Sequence, residues 1–280
     1  MLTFKKKALD IPSGVSIAYA EAGPENTDPE TPVLLFVPGF TFPGDVFVHQ
    51  LSGLSHRFRV IAIDPRSHGA STMASSGNDY DTHAQDLRAF IDALDLQNIV
   101  LTGWSFGALA TWGYADLAGT GRLAAHISVD MPPVSLAPNG EQDMWVEGSV
   151  GDMAAAFGAL TTADGHNAMI RDYISHVMVE RDLTAAELDV IAGYSLQTPY
   201  PIAMQLFAAG LFSNRIETAK ALEKEIPCHF FIADHWSGVA TQYLKEVLPK
   251  SGTSAFGGHM MFWEYPDRFN AELTTFIEGL

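Results

Sequence analysis

Gly103-Trp104-Ser105-Phe106-Gly107 restricts this chain more than any other stretch of it. It ends an apolar, β-type run, Ile99 to Trp104 (IVLTGW), and leads into a helical pattern from Ala108 to Leu117, which puts the serine at a strand-to-helix junction. A Gly-x-Ser-x-Gly in that setting forms a turn so sharp that its flanking residues must be small and its serine must accept strained backbone angles. The turn also lifts the hydroxyl over the first turn of a helix, whose unpaired amides favour negative charge. Those are the conditions under which a serine becomes a nucleophile. The plainer alternative is a tight βα turn whose serine only caps the helix.

The surrounding chain supplies the sheet that such a turn needs. Apolar runs at Val33 to Val37 (VLLFV) and Phe58 to Ile63 (FRVIAI) alternate with helical patterns, and the spacing predicts a helix from Thr82 to Leu94. Thr82 and Gln85 stand at capping-box spacing, with Leu87, Phe90, Ile91 and Leu94 forming an apolar stripe. Another strand is expected at Ala124 to Val129. This alternation implies a mostly parallel sheet with helices on both faces. From about Pro132 to Phe212 only helical periodicity is found: Val150 to Leu160, Gly165 to Met178, a helix to Leu196 opened by a Thr184/Glu187 capping box, and Ile202 to Leu211. Strand patterns resume at Cys228 to Ala233 and near Ser254 to Phe256. The reading is therefore a core made of residues 1–131 and 214–280, interrupted by a helical cap at 132–213, with ligand access beneath the cap.

Composition narrows the function classes. With 47% hydrophobic and 18% charged residues among 280, the chain can bury a large core, which excludes a disordered or coiled-coil protein. Lys and Arg total 16 against 33 Asp and Glu, a formal charge of −17, the wrong balance for a nucleic-acid binder. The single cysteine, Cys228, rules out an internal disulfide and a multi-thiolate metal site, and no His-x-x-x-His pair suggests a metal. Lys5 to Lys7 are followed by a stretch too broken for a signal peptide, and no run of eighteen apolar residues occurs. The expectation is a soluble cytoplasmic protein that needs no cofactor and binds neither membrane nor nucleic acid. A homodimer is left open.

Taken in order, these pieces resemble the α/β-hydrolase superfamily over nearly the whole chain: Val37-Pro38-Gly39-Phe40 after one strand, Asp64-Pro65-Arg66-Ser67-His68-Gly69 after the next, the elbow at Ser105, the helical insertion, and Gly258-His259-Met260 followed by Phe262-Trp263-Glu264-Tyr265-Pro266. The resemblance implies that Ser105 is the nucleophile and His259 its general base. His68 is the rival base, but its setting resembles the family's structural turn. The acid departs from the commonest pattern, because the position three residues after the usual glycine holds Trp236 and leaves Asp234 two residues early. Asp130 ends the strand after the nucleophile helix, on the sheet edge where open α/β sheets gather their sites. Haloalkane dehalogenases, zearalenone-type lactonases and cofactor-free quinolone dioxygenases are similar in carrying their acid there. Asp130 is the preferred partner of His259, and Asp234 the alternative.

By position, the amides of Phe40 and Phe106 would form an oxyanion hole. The expected substrate-binding residues are Phe42, Trp104, Trp145, Trp236 and Met260, with Phe106, Met261 and Phe262 nearby and Met153, Phe157, Met204 and Phe207 available from the cap. Such a lining suits a small hydrophobic substrate. The reading is a cofactor-independent serine hydrolase of a hydrophobic ester or lactone, working through an acyl-enzyme on Ser105. The alternatives are a cofactor-free dioxygenase of a hydroxylated heteroaromatic using His259 and Asp130, a C–C bond hydrolase or perhydrolase, and a non-enzymatic receptor.

Overall fold

A computed structural model describes residues 4–24, 30–136, 145 and 149–280. Eight strands form one sheet: β1 (Lys6–Asp10), β2 (Ser16–Ala22), β3 (Val33–Val37), β4 (Arg59–Ile63), β5 (Ile99–Trp104), β6 (Leu123–Val129), β7 (Cys228–Ile232) and β8 (Gly252–Ala255). Their order is β1-β2-β4-β3-β5-β6-β7-β8, antiparallel at β1–β2 and β2–β4 and parallel from β4 onward. This is the expected mostly parallel sheet. β3 and β5 are buried along their whole length, because helices cover both faces and leave no polar side to alternate with.

Side-chain alternation along β3 divides the core in two. Leu35 and Val37 point into a cluster with Leu87 and Phe90 of α2 (Tyr80–Ala93) and Leu109 and Trp112 of α3 (Gly107–Ala118). Leu34 and Phe36 point into the opposite cluster, with Leu51 of α1 (Val48–Leu54) and Phe269 and Leu273 of the C-terminal helix (Pro266–Glu278).

The chain leaves the sheet after β6 and returns at β7. Between them lie α4 (Val150–Ala159), α5 (Ala163–Tyr173), α6 (Ala185–Ser195), α7 (Tyr200–Leu211) and α8 (Ile216–Glu225). Val134 bridges antiparallel to Asn214, and Arg215 N donates to Pro133 O at 2.7 Å, so the helical excursion is pinched at its base. α9 (Ser237–Val247) follows β7, and α10 (Met261–Glu264) and α11 (Pro266–Glu278) close the chain. Among the described residues no helix is long and apolar enough to cross a membrane.

Local chemistry explains where the elements begin. α6 opens with both arms of the Thr184/Glu187 capping box, as its sequence spacing requires. α2 differs from expectation: it starts at Tyr80, because the Asp79 carboxylate accepts from Thr82 N at 2.7 Å and Thr82 Oγ1 at 2.9 Å, which makes Asp79 the cap and places Thr82 inside the first turn. α5 begins at Ala163, capped by Thr162, and runs into a π-helical turn at Ile174–Met178. Strands β1 and β2, absent from the sequence reading, add an antiparallel edge.

Burial also fixes charge states. His126, on β6, stacks on Trp112 of α3, and burial pushes its pKa down to about 3. The same cause pushes His68 down to about 4, with its Nδ1 2.8 Å from Arg66 O. Cys228 is buried and its thiol is pushed up to about 12, which makes it inert. Both histidines are neutral in the fold and titrate near 6.5 once unfolded, so their stabilising contribution is complete above pH 6.5. It is lost as pH falls from there towards 4, by roughly 1.4 kcal/mol per pH unit for each. Urea unfolding at pH 4.5 to 7 should therefore show stability rising with pH, with a shallower slope in His126→Gln. A flat profile would refute neutral burial.

Candidate active site

The turn after β5 is as tight as the glycines suggest. Ser105 has φ +51°, a left-handed conformation that non-glycine residues seldom adopt, and its N–H donates to Val129 O at 2.9 Å. A Cβ on Gly103 would lie 2.5 Å from Ala108 Cα, and one on Gly107 2.4 Å from Pro38 O. A Cβ on Gly39 would come within 2.7 Å of Ser105 Cβ, so the Pro38-Gly39 turn is pressed against the serine itself. That contact puts the Phe40 loop beside the elbow. The Phe40 and Phe106 amides donate to no other group among the described residues.

β6 ends one strand over, at Asp130. It too is left-handed, at φ +49°, and its carboxylate is almost wholly buried. Asp130 Oδ1 accepts from Ala233 N at the end of β7 (2.8 Å), while Oδ2 lies 2.7 Å from His259 Nδ1. His259 is only 3% exposed. Its carbonyl accepts the indole N–H of Trp104 at 2.8 Å, and the two rings stand 5.4 Å apart, so the histidine rests beside the residue that precedes Ser105. A carboxylate on Nδ1 fixes the tautomer that leaves Nε2 able to take a proton and stabilises the imidazolium formed when it does.

Asp234, the other candidate, lies exposed in a short turn after β7, its N–H donating to Gly257 O and its carboxyl beside that of Glu180. His68 sits away from this cluster, buried against His83 with ring centroids 5.5 Å apart.

A cavity of about 150 Å³ opens at Ser105. Phe40, Phe42, Trp104 and Phe106 form its floor, and Met153, Ala156, Met169, Ile170, Tyr173, Met178, Phe207 and Leu211 its helical roof. Tyr173 is the one roof residue with a polar side chain among those described, and its ring meets His259 edge to face at 5.8 Å. The roof is bonded to the loops beneath it: Thr41 Oγ1 and Ser195 Oγ are 2.5 Å apart, and Thr198 Oγ1 donates to Ser67 O at 2.9 Å.

Several expected binding residues fall elsewhere. Trp145 is buried against Phe230, with ring centroids 6.3 Å apart, so it fills the core. Met260 is fully buried in the core cluster that holds Trp104 and Phe262, outside the cavity lining, and its N–H bonds to Met178 O. Trp236 packs against both core clusters and leaves the cavity wall to the roof helices. Of the roof residues suggested by sequence, Met153 and Phe207 line the cavity, while Phe157 and Met204 do not. Met169, Ile170, Tyr173, Met178 and Leu211 were not foreseen; the helical periodicity of Gly165 to Met178 held the signal for the first four and that of Ile202 to Leu211 for the last.

A sharp βα turn with a left-handed serine, a histidine loop after the last strand and a helical excursion over the sheet edge define an α/β-hydrolase architecture. The chain matches the model of the alpha/beta hydrolase family over residues 34–272 and belongs to that family. It is 37% identical over 132 residues to a non-heme chloroperoxidase of Streptomyces lividans, a match covering 46% of each chain. The matched stretch thus spans under half the length of that relative. Among solved structures it resembles an esterase from Exiguobacterium antarcticum (TM-score 0.85, 17% identity, 98% of this chain and 100% of that one). It also resembles an esterase from Rhodococcus sp. ECU1013 (TM-score 0.79, 25% identity, 98% and 99%).

The two acids are separable by experiment. Asp130→Asn should slow capture of Ser105 by a small fluorophosphonate at least about 100-fold, because the wrong histidine tautomer is then favoured, while Asp234→Asn should react like the wild type. Intact mass against time reads both. The reverse ranking would move the role to Asp234.

Proposed function

We propose that this protein is a cofactor-independent serine hydrolase acting on a carboxylic ester or lactone with an apolar acyl group. The observation that carries the reading is an apolar cavity opening on a left-handed serine, beside a buried histidine paired with a carboxylate. The likeness to the Rhodococcus esterase supports it.

In this mechanism Ser105 Oγ attacks the substrate carbonyl carbon and its proton passes to His259 Nε2. Asp130 holds the ring through Nδ1 and offsets the charge that the ring acquires. The Phe40 and Phe106 amides stabilise the tetrahedral oxyanion, an arrangement whose donors act where charge develops. His259 then protonates the leaving alkoxide, which departs, or in a lactone stays tethered. Water, deprotonated by the same imidazole, releases the acid from Ser105. The roof residues supply binding by contact, and methionines such as Met153 and Met178 let it adapt to substrate shape.

p-Nitrophenyl esters of graded acyl length test the proposal. Wild type should hydrolyse the butyrate with higher kcat/KM than the acetate, since each buried methylene adds about 0.8 kcal/mol, and Ser105→Ala should lose at least about 1000-fold. No ester or lactone hydrolysis by folded wild type would overturn it. Oxygen consumption with a hydroxylated heteroaromatic that survives in Ser105→Ala would instead establish the dioxygenase chemistry.

A further inference from the structure

Glu264 closes α10, five residues after His259. Its carboxylate accepts from three main-chain amides: Glu180 N, at 3.0 and 3.1 Å to its two oxygens, Arg181 N at 3.1 Å and Gly258 N at 3.2 Å. The first two belong to the bend that follows the roof's π-helical turn; the third belongs to the residue before His259. Hydrogen bonds to an ionised acceptor are the strong kind. The nearby Arg181 guanidinium is engaged elsewhere, donating to Glu187 Oε1 at 2.6 Å, so Glu264 is spent on backbone.

The histidine loop meets the same stretch of roof directly. His259 N donates to Val177 O at 3.1 Å and Met260 N to Met178 O at 2.7 Å, both acceptors lying in the π-helical turn. Gly258 admits no side chain there, since a Cβ would lie 2.6 Å from Met178 O. Roof residues 177–181 and loop residues 258–260 thus form one unit, with Glu264 bonded to both sides of it. Tyr173 and Met178, which line the cavity, are carried by the same roof segment.

We propose that Glu264 is a positioning residue, which fixes where His259 stands over Ser105 and couples that placement to the seating of the roof. The proposal rests on the hydrolase reading for its kinetic consequence, while its structural consequence is independent of that reading. A displacement of about an ångström can cost a reaction about 100-fold. Removal of the carboxylate should therefore act on kcat, with less effect on binding.

The experiment compares Glu264→Ala and Glu264→Gln with Glu187→Ala, which removes a carboxylate bonded only within the roof, to Thr184 and Arg181. For p-nitrophenyl butyrate, Glu264→Ala should lose about 10- to 100-fold in kcat with KM changed less than about threefold. Glu264→Gln, whose carbonyl can still accept, should recover part of the loss, and Glu187→Ala should lower the melting temperature alone. Independently of activity, the Trp104 indole proton, bonded to His259 O, should exchange with solvent faster in Glu264→Ala, its NMR signal being assigned with Trp104→Phe. Unchanged kcat and unchanged exchange in a folded Glu264→Ala would overturn the proposal and reduce Glu264 to a staple of the roof. Faster exchange in a protein whose wild type hydrolyses nothing would support the clamp and overturn the hydrolase reading.

Discussion

The Asp130 carboxylate joins three pieces of chain that would otherwise meet only by packing. One oxygen is held by the amide at the end of β7, the other lies against Nδ1 of His259, and its own backbone, at φ +49°, ends β6 by turning sharply off the sheet. A carboxylate so deeply buried is costly unless its acceptors are filled, and here an amide and an imidazole fill them. The parallel register of β5, β6 and β7 brings Trp104, Val129 and Phe231 side by side, so Ser105, Asp130 and Ala233 leave the sheet at one edge. The site therefore follows from the sheet, and the buried carboxylate converts a shared edge into a fixed histidine.

The roof is attached to the groups it covers. Thr41, next to Phe40 in the loop that flanks Ser105, is bonded to Ser195, and the histidine loop is bonded to residues 177 and 178. Both sides of the site are thus tied to the helical roof, one through the end of α6 and the other through the π-helical turn. A cavity with an almost wholly apolar lining has little directional chemistry of its own, so the orientation of a bound molecule depends on the polar groups at its floor and on how the roof seats above them.

The sheet was largely legible in the sequence because β3, β4, β5, β6 and β7 are buried on both faces and read as unbroken apolar runs. β1 escaped because Lys6–Asp10 is half exposed at the edge and carries charge at both ends. The start of α2 was misplaced because two capping signals, at Asp79 and Thr82, lie within one turn of each other. In the site, Ser105, His259 and Asp130 were marked by glycines or strand ends, which constrain position. Trp145, Trp236 and Met260 were suggested only by being apolar and near a motif, and that does not say which side of the core a residue faces. Glu264 carried no signal for its contacts with the roof, since two of its three partners are amides of residues some eighty positions away, and any residue type supplies an amide.

Hydrolysis by the proposed route requires a covalent step at Ser105. The direct measurement is to mix the protein with p-nitrophenyl butyrate, quench in acid within the first turnovers and map the digested protein by mass. A butyryl group on the peptide containing Ser105, appearing with a stoichiometric burst of p-nitrophenol and absent in Ser105→Ala, is the expected result. Steady hydrolysis with no burst, no acylated peptide and full activity in Ser105→Ala would contradict it and would leave His259 and Asp130 to act on water alone.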